Sequence, residues 1–118
     1  MKKFKVFCFD IVNTLCITKS NFYNKSKPIK NAIKTVNKLY NYGHKIIIFT
    51  ARGMGKFNGN SLKVKKKYYK FTLKQLNKWG LKFHKLYIGK PSFDYIVDDK
   101  SIFYKKSWKK ELIKFINE

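Results

Sequence analysis

The sequence predicts an α/β fold built on a parallel sheet, in one domain spanning residues 1–118. Three observations lead there. Short apolar runs of strand character alternate with stripes of helical spacing. Each apolar run ends in a polar residue able to do chemistry. A length of 118 residues supports one domain and leaves no room for a second.

Phe4 to Phe9 (FKVFCF) reads as a buried strand rich in aromatics and Val, ended by Asp10. A polar stretch to Pro28 reads as loop, with Pro28 suited to the first turn of a helix. Ile29, Ile33, Val36 and Tyr40 recur at helical spacing, and Gly43 supplies the stop. Lys45 to Phe49 (KIIIF) is a β-branched run ending at Thr50, expected to be buried on both faces. Gly53, Gly55 and Gly59 mark a long loop. Lys63 to Lys70, the densest lysine stretch, reads as a phosphate-facing loop or a solvated surface. Tyr69, Leu73 and Leu76 give the next helical stripe, stopped by Gly80. Leu86 to Ile88 is a third strand, followed by Gly89-Lys90-Pro91, and Tyr95 to Val97 is a fourth, ending at Asp98-Asp99. Trp108, Leu112 and Phe115 predict a C-terminal helix. No internal repeat is present.

Composition narrows the function classes. A hydrophobic content of 44% with 18% aromatics argues against disorder despite a net charge of +22. Two cysteines, Cys8 and Cys16, are too few for a disulfide scaffold. The longest uncharged apolar run is far short of a membrane span. Lys5 and Asp10 interrupt the stretch a secretory signal would need. The expectation is a cytoplasmic protein with free thiols and no membrane partner.

A charge of +22 suggests nucleic acid in principle. However, Lys, Asn, Ile, Phe and Tyr all have AT-rich codons, and the lysines are spread along the chain. Codon bias therefore accounts for most of the charge, and nucleic acid ranks behind a small phosphorylated substrate as partner. The bias makes the exceptions informative. Asp10 is the only acidic residue before Asp94, and Arg52 is the only arginine. A guanidinium offers a planar, two-pronged grip on phosphate that lysine cannot copy.

In a parallel sheet, ligands bind beyond the carboxyl ends of the strands. The polar residues at the four predicted ends are Asp10, Thr50, Lys90 and Asp98-Asp99. Carboxylates with a lysine and a hydroxyl beside them suit a hard divalent cation that also meets phosphate oxygens, which is the chemistry of Mg²⁺. The residues themselves therefore point to a Mg-dependent phosphate site.

The same residues resemble the haloacid dehalogenase superfamily of phosphohydrolases, in order along nearly the whole chain. Phe9-Asp10-Ile11-Val12-Asn13-Thr14-Leu15 resembles its first motif, Ile48-Phe49-Thr50 its second, Lys90 in Gly89-Lys90-Pro91 its third, and Ile96-Val97-Asp98-Asp99 its fourth. FTARGM, GKPSFDYIVDD and the short length resemble small capless members associated with capsule or polysaccharide biosynthesis. The resemblance implies a three-layer, Rossmann-like, capless fold and a Mg-dependent phosphomonoester hydrolase acting on a sugar phosphate or similar small ester. It implies that Asp10 attacks phosphorus and becomes an aspartyl phosphate. Thr50 would bind a phosphoryl oxygen, and Lys90 would neutralise the nucleophile and the phosphate. Asp10, the Val12 carbonyl, Asp98 and Asp99 would hold Mg²⁺. Asn13, Thr14, Ala51 and Arg52 would line the substrate. Capless members commonly form homo-oligomers, and the same is expected here.

One position departs from the pattern. The family has a second Asp two residues after the nucleophile as general acid and base, and this chain has Val12. Valine can still offer a main-chain carbonyl to a metal, but it cannot move a proton. Slow turnover and a long-lived aspartyl phosphate are expected. Two other readings stand beside this one: a degenerate phosphate-binding protein without turnover, and a nucleic-acid end phosphatase or binder.

The remaining candidates read as structural. Asp94 would orient its loop. His44 and His84 lack metal-ligand spacing and read as surface or strand-flanking residues. Cys8 reads as core packing, and Cys16 lacks an adjacent histidine base.

Overall fold

A computed structural model describes residues 3–19, 22–102, 104–105 and 107–116. Residues 20 and 21 of the expected first loop, and both chain ends of the expected domain, lie outside these. In chain order the elements are β1 (Val6–Phe9), β2 (Cys16–Ile17), β3 (Lys27–Pro28), α1 (Lys30–Tyr42), β4 (Lys45–Thr50), α2 (Ser61–Lys78), β5 (Lys85–Ile88) and α3 (Trp108–Leu112).

The fold is mixed α/β around a three-stranded parallel sheet in the order β1-β4-β5. Val6 lies opposite Lys45 and Phe9 opposite Ile48; Ile47 lies opposite Lys85 and Thr50 opposite Ile88. Parallel neighbours need a long crossover. Accordingly α1 joins β1 to β4 and α2 joins β4 to β5. β2 and β3 form a small antiparallel ladder inside the first crossover. This ladder takes Pro28, expected in the first helical turn, into a strand, and α1 starts two residues later.

β4 is central, where its β-branched run fits the pleated surface, but it is fully buried on one face only and not on both as expected. Ile46, Ile48 and Thr50 are buried, whereas Ile47 and Phe49 on the other face are only half-buried. α1 turns Ala32, Ile33, Val36 and Leu39 inward at helical spacing. It ends where predicted, at Gly43, whose φ of 116° belongs to the left-handed region. The approach is also close there: a Cβ on Gly43 would sit 2.5 Å from the Phe4 ring. The core joins these residues to Ile11, Leu15, Leu76 and the α3 residues Trp108 and Leu112.

Several expectations are corrected. Residues 61–70 form the first half of α2, not a loop. The reason is local: the Asn60 side chain caps the helix by accepting from the Lys63 N–H at 3.2 Å. Val64, Thr72 and Leu76 then supply a buried stripe, and the lysines between them face outward as good helix formers. Tyr95 to Val97 forms no strand, and all three residues are exposed. Three residues make few ladder bonds, and the segment that follows folds on itself instead. The Asp98 carboxylate accepts from the Lys100 N–H at 2.9 Å and its carbonyl accepts from the Ser101 N–H at 3.1 Å.

His44 flanks β4, one of the two expected placements, but it is buried rather than at the surface. Its Nδ1 accepts from the Lys5 N–H at 3.0 Å, and its Nε2 lies 2.8 Å from the Phe115 carbonyl. A ring whose Nδ1 accepts an N–H carries its own proton on Nε2, which donates to that carbonyl. His44 thus ties the strand entry to the C-terminal segment. His84 is exposed as expected and stacks on Tyr40 at 4.6 Å. None of the described helices is long and apolar enough to cross a membrane.

Candidate functional site

Parallel strands bring their carboxyl ends to one edge of the sheet, and the predicted residues at three of those ends lie there. Asp10 follows β1, Thr50 ends β4 and Lys90 lies two residues beyond β5. The Lys90 N–H donates to the Thr50 carbonyl at 3.1 Å, which holds the two strand ends together. The Thr50 hydroxyl is buried and accepts from the Arg52 N–H at 3.1 Å.

An open cleft of about 140 Å³ lies at this edge, lined by Asp10, Ala51, Lys90, Pro91, Ser92 and Phe93. Asp10 is partly buried, and its Oδ1 accepts from the Ile11 N–H at 2.8 Å. Burial raises the Asp10 carboxyl above its ordinary pKa of 3.8; Lys90, the Ile11 N–H and Arg52 oppose that rise, in that order. The Lys90 ammonium also lies over the Phe93 ring at 5.4 Å. A partly desolvated carboxylate with a cation beside it, at the mouth of an open cleft, is placed to meet an anion and to act on it.

The raised pKa has a consequence for stability. The folded chain holds the Asp10 proton more tightly than the unfolded chain. The stability that proton brings is therefore full below the ordinary value and is lost as pH rises through the folded value. Asp10→Asn keeps an oxygen for the Ile11 N–H and removes the charge. It is expected to melt above the parent at neutral pH, with the gap narrowing as pH falls toward 3.8. Thermal melts across that range check it; a gap that stayed constant would contradict it.

Arg52 lies elsewhere than expected. Its side chain is 2% exposed and does not line the cleft. It donates to the Thr72 hydroxyl at 3.4 Å and to the Cys16 sulfur at 3.8 Å, with the guanidinium over the Tyr23 ring at 5.1 Å. Burial lowers its pKa, and Cys16, Tyr23 and Asp10 oppose this. Its Nε has no hydrogen-bond partner among the described residues. The ion pair seen among those residues is Lys105–Glu111, so Arg52 has no carboxylate in contact there and Asp10 acts on it only through its field.

Val12 is half-buried and bridges Cys16, with Asn13 after it at a φ of 63°. The Thr14 N–H donates to the Ile11 carbonyl at 3.2 Å, which closes the turn. The Tyr104 hydroxyl donates to the Asn13 carbonyl at 2.7 Å and so carries the C-terminal segment back to this turn.

Asp98 and Asp99 are exposed, and neither is among the groups acting on Asp10. Among the described residues, no three His, Cys, Asp or Glu side chains come close enough together to hold a metal ion. The donor types suit Mg²⁺, but of the carboxylates only Asp10 stands at the cleft. Mg²⁺ takes one or two carboxylates and fills its other places with water and phosphate oxygens, so Asp10 begins such a site without completing it.

Three lining residues escaped the sequence reading. Pro91, Ser92 and Phe93 follow Lys90 without secondary structure and carry no charge to mark them. Cys8 was expected in the core but is exposed. It is close enough to Asp10 and Lys90 for both charges to act on its thiol. What burial it has pushes its thiol pKa up, with Lys90 opposing and Asp10 adding. It therefore stays a protonated thiol at neutral pH.

No family model matches the sequence, and no curated protein matches it. Among solved structures, the chain resembles a crystal structure of a structural-genomics target from Vibrio cholerae. The TM-score is 0.83 at 21% identity, over 96% of this chain and 97% of that one. At that identity the likeness speaks for the fold alone.

Proposed function

We propose that the chain is a phosphomonoester hydrolase of the haloacid dehalogenase type, with Asp10 as nucleophile. The fuller fold that goes with this reading is three-layer, Rossmann-like and capless. The observation that supports it is the convergence of Asp10, Thr50 and Lys90 at one edge of a parallel sheet, where Asp10 and Lys90 line an open cleft and Thr50 lies buried behind it.

In this reading a phosphate monoester enters the cleft with its charge toward Lys90. An Asp10 oxygen attacks phosphorus, an O–P bond forms, and the ester P–O bond breaks. The leaving alkoxide takes its proton from water, because Val12 has none to give. Water then attacks phosphorus and loses a proton to bulk solvent; inorganic phosphate leaves and the Asp10 carboxylate is restored. Lys90 offsets the charge on the nucleophile and on the phosphoryl oxygens. Thr50 shapes the site through its hydroxyl and through its carbonyl bond to Lys90. The open cleft suits a sugar phosphate or similar small ester.

Magnesium belongs to the proposal as cofactor, with Asp10, the Val12 carbonyl, Asp98 and Asp99 as candidate donors; bound there, it would polarise the phosphoryl oxygens. A cytoplasmic homo-oligomer is the assembly it suggests. Phosphate release from sugar phosphates, nucleotides and an aryl phosphate, with and without Mg²⁺, tests the proposal. Slow, Mg-dependent release on one class is expected. No release from any substrate would contradict it.

Val12, together with the exposed Asp98 and Asp99, favours one second reading, a degenerate phosphate-binding protein. Mg-dependent binding of phosphate without turnover would select it.

A further inference from the structure

A second concavity lies away from the cleft and shares none of its lining residues. It has a volume of about 410 Å³. One wall is Phe83 to Ile88, along the outer side of β5, which is an end strand of the sheet. The other wall is Lys65, Tyr69 and Leu73, which are four residues apart and so share one face of α2.

Rings and cations line this groove side by side. Tyr69, Phe83, Tyr87 and His84 are the rings, the last already stacked on Tyr40, and Lys65 and Lys85 are the cations. The Lys65 ammonium lies over the Tyr69 ring at 5.9 Å. Tyr87 is 48% exposed, and alternation along β5 puts it on the same outward face as Lys85. Further exposed lysines continue along α2 beside the groove: Lys66, Lys70, Lys74 and Lys78. No acidic residue lies on either wall, since none occurs between Asp10 and Asp94.

The net charge of +22 is spread along the chain and does not by itself locate a partner. This groove adds what composition cannot: stacking surfaces and cations set side by side. An end strand could also accept a strand from a second copy. Two copies would face each other with like charge and with lysines on both edges, which opposes that pairing. The charge fits a polyanion, and three aromatic faces fit bases rather than carboxylate side chains.

We propose that the groove between β5 and α2 binds single-stranded nucleic acid, with bases on Tyr69, Phe83 and Tyr87 and phosphates on Lys65 and Lys85. This stands apart from the hydrolase reading, because the two sites share no lining residue.

The test is fluorescence anisotropy of the full chain with a labelled oligothymidylate of about 20 nucleotides over a salt series. Binding at low salt that weakens steeply with added salt is expected. Tyr87→Ala should weaken it about tenfold or more, and Tyr87→Phe, which keeps the stacking face, should restore it. Lys65→Gln with Lys85→Gln should flatten the salt slope by about 1.4, or ~0.7 for each single-strand phosphate that is no longer neutralised. Lys30→Gln with Lys34→Gln on α1 makes the same charge change away from the groove and should leave the affinity near the parent's. Absence of binding at low salt would overturn the proposal. So would an equal loss in the α1 variant, which would mean diffuse charge. An oligoglutamate that bound as tightly, with the same dependence on Tyr87, would overturn it in favour of an acidic peptide.

Discussion

Val12→Asp should raise phosphate release from an alkyl phosphate by about 10²–10⁴-fold, the usual worth of general acid–base catalysis. Position 12 follows Asp10 by two residues, in the turn closed by the Thr14 N–H on the Ile11 carbonyl. The side chain there is half-buried, so a carboxyl would meet both solvent and the turn. It could protonate a leaving alkoxide and later take the proton of the attacking water. Val12→Asn adds polarity without a transferable proton and should stay near the parent rate. An aryl phosphate, whose leaving group needs no protonation, should gain less in the first step. Steady-state release with both substrates checks this. An equal gain from Val12→Asn, or no gain on the alkyl ester, would take proton transfer away from position 12.

Lys90→Met should lower turnover by about 10²–10³-fold, comparable to the loss of one preorganised charge-stabilising group. It should also leave a mark that misfolding would not. Lys90 is the largest of the influences opposing the rise in the Asp10 pKa. Without it the carboxyl ionises only at higher pH, and the acid limb of the pH–rate profile should move up. Lys90→Arg keeps the charge and should bring the limb back. A rate that fell with an unmoved limb would mean that Lys90 acts on the substrate alone.

The parts of the fold legible in the sequence are those where one signal dominates. The β-branched run of β4 and the Gly43 stop are of this kind, because a pleated surface and a left-handed φ each admit few residue types. Asp10, Thr50 and Lys90 were legible as well, since a strand end followed by a polar residue marks the sheet edge. The first half of α2 was hidden. Its lysines carry no apolar stripe of their own, and the signal was the single cap residue Asn60. Tyr95 to Val97 misled for the opposite reason: strand propensity was present, but the turn made by Asp98 took the backbone first. Cys8 and His44 show the limit of residue type alone. The pleat turned a small apolar residue outward, and two backbone partners drew a polar ring inward. Arg52 was marked by composition as an exception, but only packing places its guanidinium inside, against Thr72, Cys16 and Tyr23.

The central claim is that Asp10 forms a covalent bond to phosphorus. The most direct measurement is mass spectrometry of the chain quenched in acid during turnover of an aryl phosphate, with the peptide carrying Asp10 resolved. The account predicts one phosphoryl group on Asp10, accumulating because the chain lacks a base to speed its hydrolysis, and absent from Asp10→Asn. Phosphate release from Asp10→Asn at the parent rate, with no phosphoryl group on the parent peptide, would contradict it.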